Sequence, residues 1–432
     1  MSRILSSHVN LEAALHGSLE RIRRVHAAFG RRFPTVGDGT SYQLTANTNW
    51  LAGFWPGLLW LACVATGDEG LRTHAEALLP TFEERLARRV HITHDLGFLF
   101  TLSARAQWQV TRHRNGAFVR TTGRHRNGAF AGTTGRHRNG AFVGTTGRHR
   151  NGAFVGTAGR DRQARELALR AARELVQRYR PQGEYIQAWG AVGDPAEGGR
   201  MIIDTMMNLP LLFWASEQTG DPQYHLAALA HAETSLRYLL RPDGSTYHTF
   251  FLDQETGQPV GPRTHQGFAD DSLWARGQAW AIYGFALAAE WCEEGRFLAA
   301  ARQAARRFVA ELPPDGVPWW DLRLPEDAPH HRDSSAGAVA AGGMLRLARL
   351  DDKVDSGEFR DSAVTLLGSL VAHCLETQPE AQGLLRHGTY HAHKGLGVDA
   401  YFICGDYFFL EALLALQGKK FDFWGPQHNV PE

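Results

Sequence analysis

The sequence predicts an all-α chain folded as an (α/α)6 barrel, six inner helices ringed by six outer ones. Three observations lead there. Helical segments with one wet face alternate with segments that are apolar nearly all round, and a helix without a polar face is buried on both sides. Short turns of one type, ATGDEG (65–70) and QTGDPQ (218–223), join an apolar helix to a charged one. Trp, His and Asp collect just before the apolar segments, at one end of the alternation and not at the other. An open α-solenoid of hairpins is the alternative architecture.

In chain order, amphipathic periodicity marks 8–30, 70–89, 161–179, 222–240, 294–312 and 356–377 as outer helices. The third is typical: Ala164, Leu167, Ala171, Leu175 and Val176 form one stripe among Arg and Glu. Between them lie 51–65, 96–110, 204–217, 274–291, 335–350 and 406–417, with runs such as QAWAIYGFALAAEW. Gly, Pro, Thr and aromatics replace helix formers in 182–202 and 243–262, where some β structure is expected. All inner helices of such a barrel run the same way, so their N-termini share one end. There stand NWLAGFWPG (49–57), HDLGF (94–98), GGRMIIDTMMNLP (198–210), THQGFADDSLWARGQAW (264–280), RDSSAG (332–337) and VDAYFICGDYFFLE (398–411). This asymmetry predicts a single active-site mouth.

Residues 112–159 break the pattern. RHRNGAFVRTTG and three near copies form four tandem units of 12 residues. The period is too short for helical solenoid repeats. The stretch holds nine Arg and no acid. Those arginines exceed the net charge of +1, so the rest of the chain is acidic. Two readings stand: an Arg- and Phe-bearing arm for RNA or another anion, or a duplicated insertion in a surface turn. Its flanks, QVT and RDRQARE, match the other inner-to-outer turns and favour the insertion. The whole chain, 1–432, is then one catalytic domain interrupted by the repeat.

Hydrophobic residues make up 43% and charged residues 21%, ordinary for a soluble globule. The near-zero net charge gives no general reason to expect nucleic acid or an anionic membrane. No run of about 18 apolar residues predicts a membrane span. The N-terminus turns charged too soon for a secretory leader. Four Cys, at 63, 292, 374 and 404, form no CxxC pair. A disulfide framework or zinc ribbon is therefore not expected, and a cytoplasmic, reducing location is. No metal-ligand spacing such as HExxH, P-loop, Rossmann fingerprint or nucleophile elbow is present. We expect no metal and no cofactor.

Asp95 and Asp204 are the candidate carboxylate pair. A lone Asp at a helix start usually caps it. Two on adjacent inner helices can instead face each other across the mouth, and like charges close together raise one pKa into the proton-donor range. Asp270, Asp271, Asp333 and Asp406 are competitors at the same end. Trp50, Trp55, Trp189, Trp274 and Trp280 are divided between sugar platforms and core filling, with Trp280 assigned to the core. His94, His248 and His265 flank the same segments. Arg276, on an inner helix, needs an anion, either a buried acid or a substrate carboxylate.

GFWPGLLWLA, HDLGFLF, MIIDTMMNLPLLFWASEQTGDPQY, YHTFFLD, THQGFADDSLWARGQAWAIYGFA, RDSSA and GDYFFLEALL resemble, in order, the unsaturated glucuronyl hydrolases, glycoside hydrolase family 88. The resemblance implies an (α/α)6 barrel that removes a 4,5-unsaturated uronic acid from lyase-generated oligosaccharides by hydrating C4=C5. It implies that Asp204 is the acid and base and Asp95 the second essential Asp. It places Trp50, His94, Trp189, His248, Gln266, Trp274 and Arg276 around the sugar. A related activity, on unsaturated rhamnogalacturonyl fragments of pectin, is the nearest alternative; a helical toroid with an RNA-binding arm is a more distant one. The expected partner is an unsaturated oligosaccharide, acted on by a monomer or homodimer, with no nucleic acid or membrane. Two features depart from the family pattern: the 112–159 repeat, and Phe402–Ile403–Cys404 where a Trp is expected.

Overall fold

A computed structural model of the chain describes residues 10–112, 157–350, 356–418 and 422–426. Twelve helices alternate between two rings among the described residues. The outer ring is α1 (Leu11–Phe29), α3 (Glu69–Ala87), α5 (Thr157–Val176), α7 (Pro222–Tyr238), α9 (Gly295–Ala310) and α11 (Ser356–His373). The inner ring is α2 (Phe54–Thr66), α4, α6 (Leu209–Thr219), α8 (Ala275–Cys292), α10 (Ser334–Leu350) and α12 (Ile403–Leu416). Helix α4 opens as Leu96–Phe100, widens to a π-helical turn over Thr101–Arg105 and runs on to 112. Each inner helix packs on the next, and α12 packs back on α2, so the ring closes and the solenoid alternative is excluded.

The burial follows from side-chain pattern. Every residue of α8 from Ala275 to Ala289 is buried, whereas α9 buries one stripe: Phe297, Ala300, Ala301, Ala304, Ala305 and Phe308. The predicted stripe of α5, Ala164 through Val176, is buried as well. The TGD turns work alike. Gly67 and Gly220 end α2 and α6 in the left-handed region, at φ 74° and 72°. Asp68 and Asp221 then accept backbone N–H bonds at the starts of α3 and α7. Three residues thus stop an inner helix and start an outer one.

Short strands sit at the mouth. Strands β3 (Tyr179–Arg180) and β4 (Tyr185–Ile186) pair with each other, and β5 (Arg200–Ile202), β6 (Thr249–Leu252) and β7 (Pro259–Arg263) form an antiparallel sheet. The expected β segments are therefore present. The structure adds a hairpin that the periodicity did not indicate: β1 (Phe33–Asp38) with β2 (Ser41–Thr45), whose β1 also pairs with β8 (Tyr401–Phe402). At the opposite end, residues 422–426 plug the ring. Trp424 is fully buried against Phe98 and Phe408, and Arg105 donates to the carbonyls of Trp424 and Gly425. The repeat lies between α4 and α5; its residues 113–156 fall outside the described residues.

Candidate active site

Asp204 reaches the mouth because β5 pairs with β6. The Ile203 N–H donates to the His248 carbonyl, at 3.1 Å, just before β6. Asp204 then stands in a short 3-10 turn, Ile203–Met207, beside His248. Asp95 comes from the segment before α4, tied down where the His94 N–H donates to Ala188 O at 2.9 Å. Asn208 joins the two. Its Oδ1 accepts from the Phe98 N–H at 2.7 Å and its Nδ2 donates to the Asp204 carbonyl at 3.0 Å. Gly97 permits that approach, since a Cβ there would lie 2.3 Å from Asn208 Cα.

Neither Asp acts as a helix cap. Asp95 occupies the N-cap position of α4, yet its side chain makes no cap hydrogen bond. It accepts from Thr93 Oγ1 at 3.2 Å and faces His94 Nε2 at 3.3 Å. Asp204 is buried, and its Oδ2 has no hydrogen-bond partner among the described residues. Burial first, and the charge of Asp95 second, push the Asp204 carboxyl up to about 8, while Arg276 pulls the other way. A carboxyl in that state is a proton donor at neutral pH.

His248 Nε2 stands 4.0 Å from that oxygen. The backbone N–H groups of His265 and Gln266 both point at His248 Nδ1, at 3.1 and 3.2 Å. Nδ1 is thereby the acceptor, and the neutral ring carries its proton on Nε2. Burial, then the neighbouring cations and histidines, hold His248 well below the usual imidazole range. Trp274 covers its ring at 4.2 Å.

The other expected positions fall around this pair. Trp189 is half-buried between His94, His265 and the Arg200 guanidinium. Trp50 is half-buried across the mouth, its Nε1 on Tyr390 Oη at 3.3 Å. His94 is buried with Nδ1 on Ala188 O at 2.9 Å, and burial lowers its pKa. Gln266 Nε2 donates to Tyr390 O at 2.8 Å. Trp55 and Trp280 fill the core. His265 is exposed.

Arg276 realises the buried-acid alternative. Its guanidinium has no accessible surface; Nη1 meets Asp333 Oδ2 at 2.5 Å and Thr389 O at 2.8 Å, and Nη2 meets Tyr390 O at 2.8 Å. It fastens the Thr389–Tyr390 loop and sends its field toward Asp204, with its charge already matched. Of the competing acids, Asp333 is spent on that pair. Asp406 accepts from Tyr42 Oη and the Leu384 and Leu385 N–H groups. Asp270 and Asp271 are exposed. Among the described residues no group of three His, Cys, Asp or Glu could hold a metal ion.

Sequence reasoning missed Asn208, which reads as a cap before Leu-Pro, and His391. The latter is buried at the mouth, 5.2 Å from His265, with neither ring nitrogen partnered among the described residues. The His-Ala-His-Lys stretch that His391 opens was the available signal.

No family model matches the sequence. The unsaturated glucuronyl hydrolase of Bacillus sp. strain GL1 is 42% identical over 401 residues, 92% of this chain and 94% of that one. Its crystal structure has a TM-score of 0.82, covering 96% of this chain and 99% of that chain. The unsaturated chondroitin disaccharide hydrolase of Streptococcus pyogenes serotype M1 is 34% identical over 424 residues, 97% of this chain and 94% of that one. A Streptococcus agalactiae unsaturated glucuronyl hydrolase mutant, solved with dGlcA-GalNAc6S, has a TM-score of 0.74 at 30% identity, covering 96% of this chain and 93% of that chain.

Proposed function

Because the chain belongs to the unsaturated glucuronyl hydrolase family, we propose that it hydrates the C4=C5 bond of a terminal 4,5-unsaturated uronic acid with Asp204 as proton donor and Asp95 as its ionised partner. The protein is an enzyme of that family and hydrolyses unsaturated uronic acid oligosaccharides. What supports the residue roles is one observation: a buried carboxyl oxygen on Asp204 with no partner, held protonated near neutrality beside a second Asp.

The substrate ring is a vinyl ether. Asp204 delivers its proton to C4, and the ring-oxygen lone pair moves in to give an oxocarbenium centre at C5. Asp95, as carboxylate, stabilises that cation. Water adds at C5 and returns its proton to Asp204, which now serves as base. The C5 hemiketal opens to a ketone, leaving the former ring oxygen as a hydroxyl on C1. That hemiacetal then collapses and releases the second sugar. One water is consumed and Asp204 is regenerated. This differs from ordinary glycoside hydrolysis, where two carboxyls act at the anomeric carbon. His248 offers its Nε2–H beside Asp204, and Trp50 and Trp189 offer half-exposed ring faces for the sugar. His94, Gln266 and Trp274 shape the walls around them, and Arg276 acts from behind by fastening the Thr389–Tyr390 loop.

The second sugar is a glycosaminoglycan-type residue by this reading; pectin fragments and an RNA-binding toroid are not favoured by the relatives. Residues 1–432 form a single catalytic domain, with 112–159 inserted in it, working as a monomer or homodimer without nucleic acid or membrane. Among the described residues no helix is long and apolar enough to cross a membrane. No disulfide joins the four Cys among the described residues, which suits a cytoplasmic location. The test is to mix the protein with unsaturated disaccharides from several lyases and follow the ultraviolet absorbance of the conjugated C4=C5 bond. Absorbance falls for at least one glycosaminoglycan disaccharide if the reading is right, and for none if it is wrong.

A further inference from the structure

The plug at the end of the barrel opposite the mouth has no part in that chemistry, yet four inner helices hold it. From α4, Gln109 Nε2 donates to Asp422 O at 2.8 Å, and Arg105 donates to the carbonyls of Trp424 and Gly425 at 3.3 and 2.7 Å. From α8, Trp291 Nε1 donates to Trp424 O at 2.9 Å. From α10, Arg346 and Arg349 meet Asp422 Oδ2 at 2.6 and 3.3 Å. On α12, Glu411 Oε1 accepts from the Trp424 indole N–H at 2.8 Å. Asp422 Oδ1 accepts from the Trp424 and Gly425 N–H groups at 2.8 and 3.0 Å, which fixes the turn between them. Arg105 is fully buried, and its hydrogen bonds among the described residues go to the plug's carbonyls. A segment that served only to seal the ring would be better fastened by apolar side chains, which carry no desolvation cost.

The reach of Trp424 supplies the reason. Its ring is fully buried, stacks on Phe408 at 6.1 Å and meets Phe98 edge-on at 6.0 Å. Phe98 stands three residues after Asp95, at the start of α4. Its N–H is the donor that holds Asn208, whose Nδ2 holds the Asp204 carbonyl. Its ring lies 5.2 Å from Trp280 and 5.6 Å from Trp50. One indole therefore backs, through a single ring, the support shared by both carboxyls. Trp50 depends on that ring less, because it also packs on Phe54, Tyr390 and Phe402.

We propose that Trp424 is a positioning residue for the reaction: the plug seats Phe98 from below and so fixes the Asp95 and Asp204 segments relative to each other. The inference rests on the proposed roles of those two acids. A carboxyl that must deliver its proton to one carbon tolerates little misplacement.

The experiment measures kcat and KM of the full chain carrying Trp424→Leu, Trp424→Phe or Asp204→Asn, with folding checked by circular dichroism. Trp424→Leu lowers kcat by about ten- to a hundredfold, the scale of loss for a misplacement of about 1 Å. KM stays within roughly threefold, because the lost interaction acts in the transition state and Trp50 keeps its other contacts. Trp424→Phe keeps an aromatic ring against Phe98 and recovers most of kcat. A folded Trp424→Leu with parental kcat overturns the proposal, as does a rise in KM at unchanged kcat, or Trp424→Phe no better than Trp424→Leu. Should Trp424→Leu fail to fold, Arg105→Met releases the two plug carbonyls instead. A lowered kcat at unchanged KM then supports the proposal; a parental kcat, or a second failure to fold, overturns it. With Asp204→Asn inactive, these outcomes bear on the plug alone. An active Asp204→Asn removes the reading of the acid pair and this inference with it.

Discussion

Asp204→Asn is expected to destroy activity and stabilise the protein, a combination that a merely structural Asp would not produce. The carboxyl is raised from 3.8 to about 8, chiefly by burial. The folded state therefore binds this proton more tightly than the unfolded chain. Its contribution to stability is most favourable below pH 3.8, declines as pH rises toward about 8, and is flat beyond. At pH 7 the penalty of keeping Asp204 protonated in the fold reaches at most roughly 4 kcal/mol, at about 1.4 kcal/mol per pH unit. An amide is neutral at every pH and escapes it. Asn cannot donate the C4 proton, so turnover should fall by about 10²–10⁴-fold. The assay is thermal unfolding by circular dichroism at pH 5, 6, 7 and 8, beside turnover of an unsaturated disaccharide. The Asn variant should gain in Tm over the parent, and the gain should grow with pH. A variant that turns over normally, or whose Tm at pH 7 is no higher than the parent's, would refute the reasoning.

Four other outcomes are expected. Activity should fall as pH rises through about 8, because the donor must be protonated, and a pH–rate profile checks it. Gly97→Ala should cost about 1–3 kcal/mol in denaturant unfolding and lower kcat, because its Cβ would collide with Asn208, which links the two Asp segments. Arg276→Met should destabilise the fold by about 3–5 kcal/mol, because it strands the fully buried Asp333, and urea titration measures the loss. Excising residues 112–159 should leave kcat and KM within about twofold, because the segment leaves from the C-terminal end of α4, opposite the mouth; a folded but inactive deletion would show that it contacts substrate or a partner subunit.

Much of the architecture was legible in one dimension. Whether a helix is wet on one face or apolar all round is written in its own 18 or so residues, so the two rings emerged from periodicity alone. The TGD turns were equally local: Gly67 and Gly220 supply the left-handed residue, and Asp68 and Asp221 supply the cap. The placing of Trp50, Asp95, Trp189, Asp204 and His248 at one end followed from the common direction of the inner helices. The resemblance to a family then named the chemistry.

What each charged group does at that end needed the third dimension. Six Asp stood near the mouth in the sequence. Only packing showed Asp333 taken by Arg276, Asp406 taken by Tyr42 and two backbone N–H groups, and Asp204 left buried with a free oxygen. The β1–β2 hairpin was unreadable because β1 draws part of its pairing from Tyr401–Phe402, at the far end of the chain. Arg85 and Arg178 looked like any solvent-facing arginine of the outer ring, yet both are buried and donate to backbone carbonyls of the mouth segments. The physical reason is the range of the forces. Helical period and turn chemistry act between residues a few places apart, whereas burial, counter-charge and the pKa shifts they cause depend on neighbours brought in from distant elements.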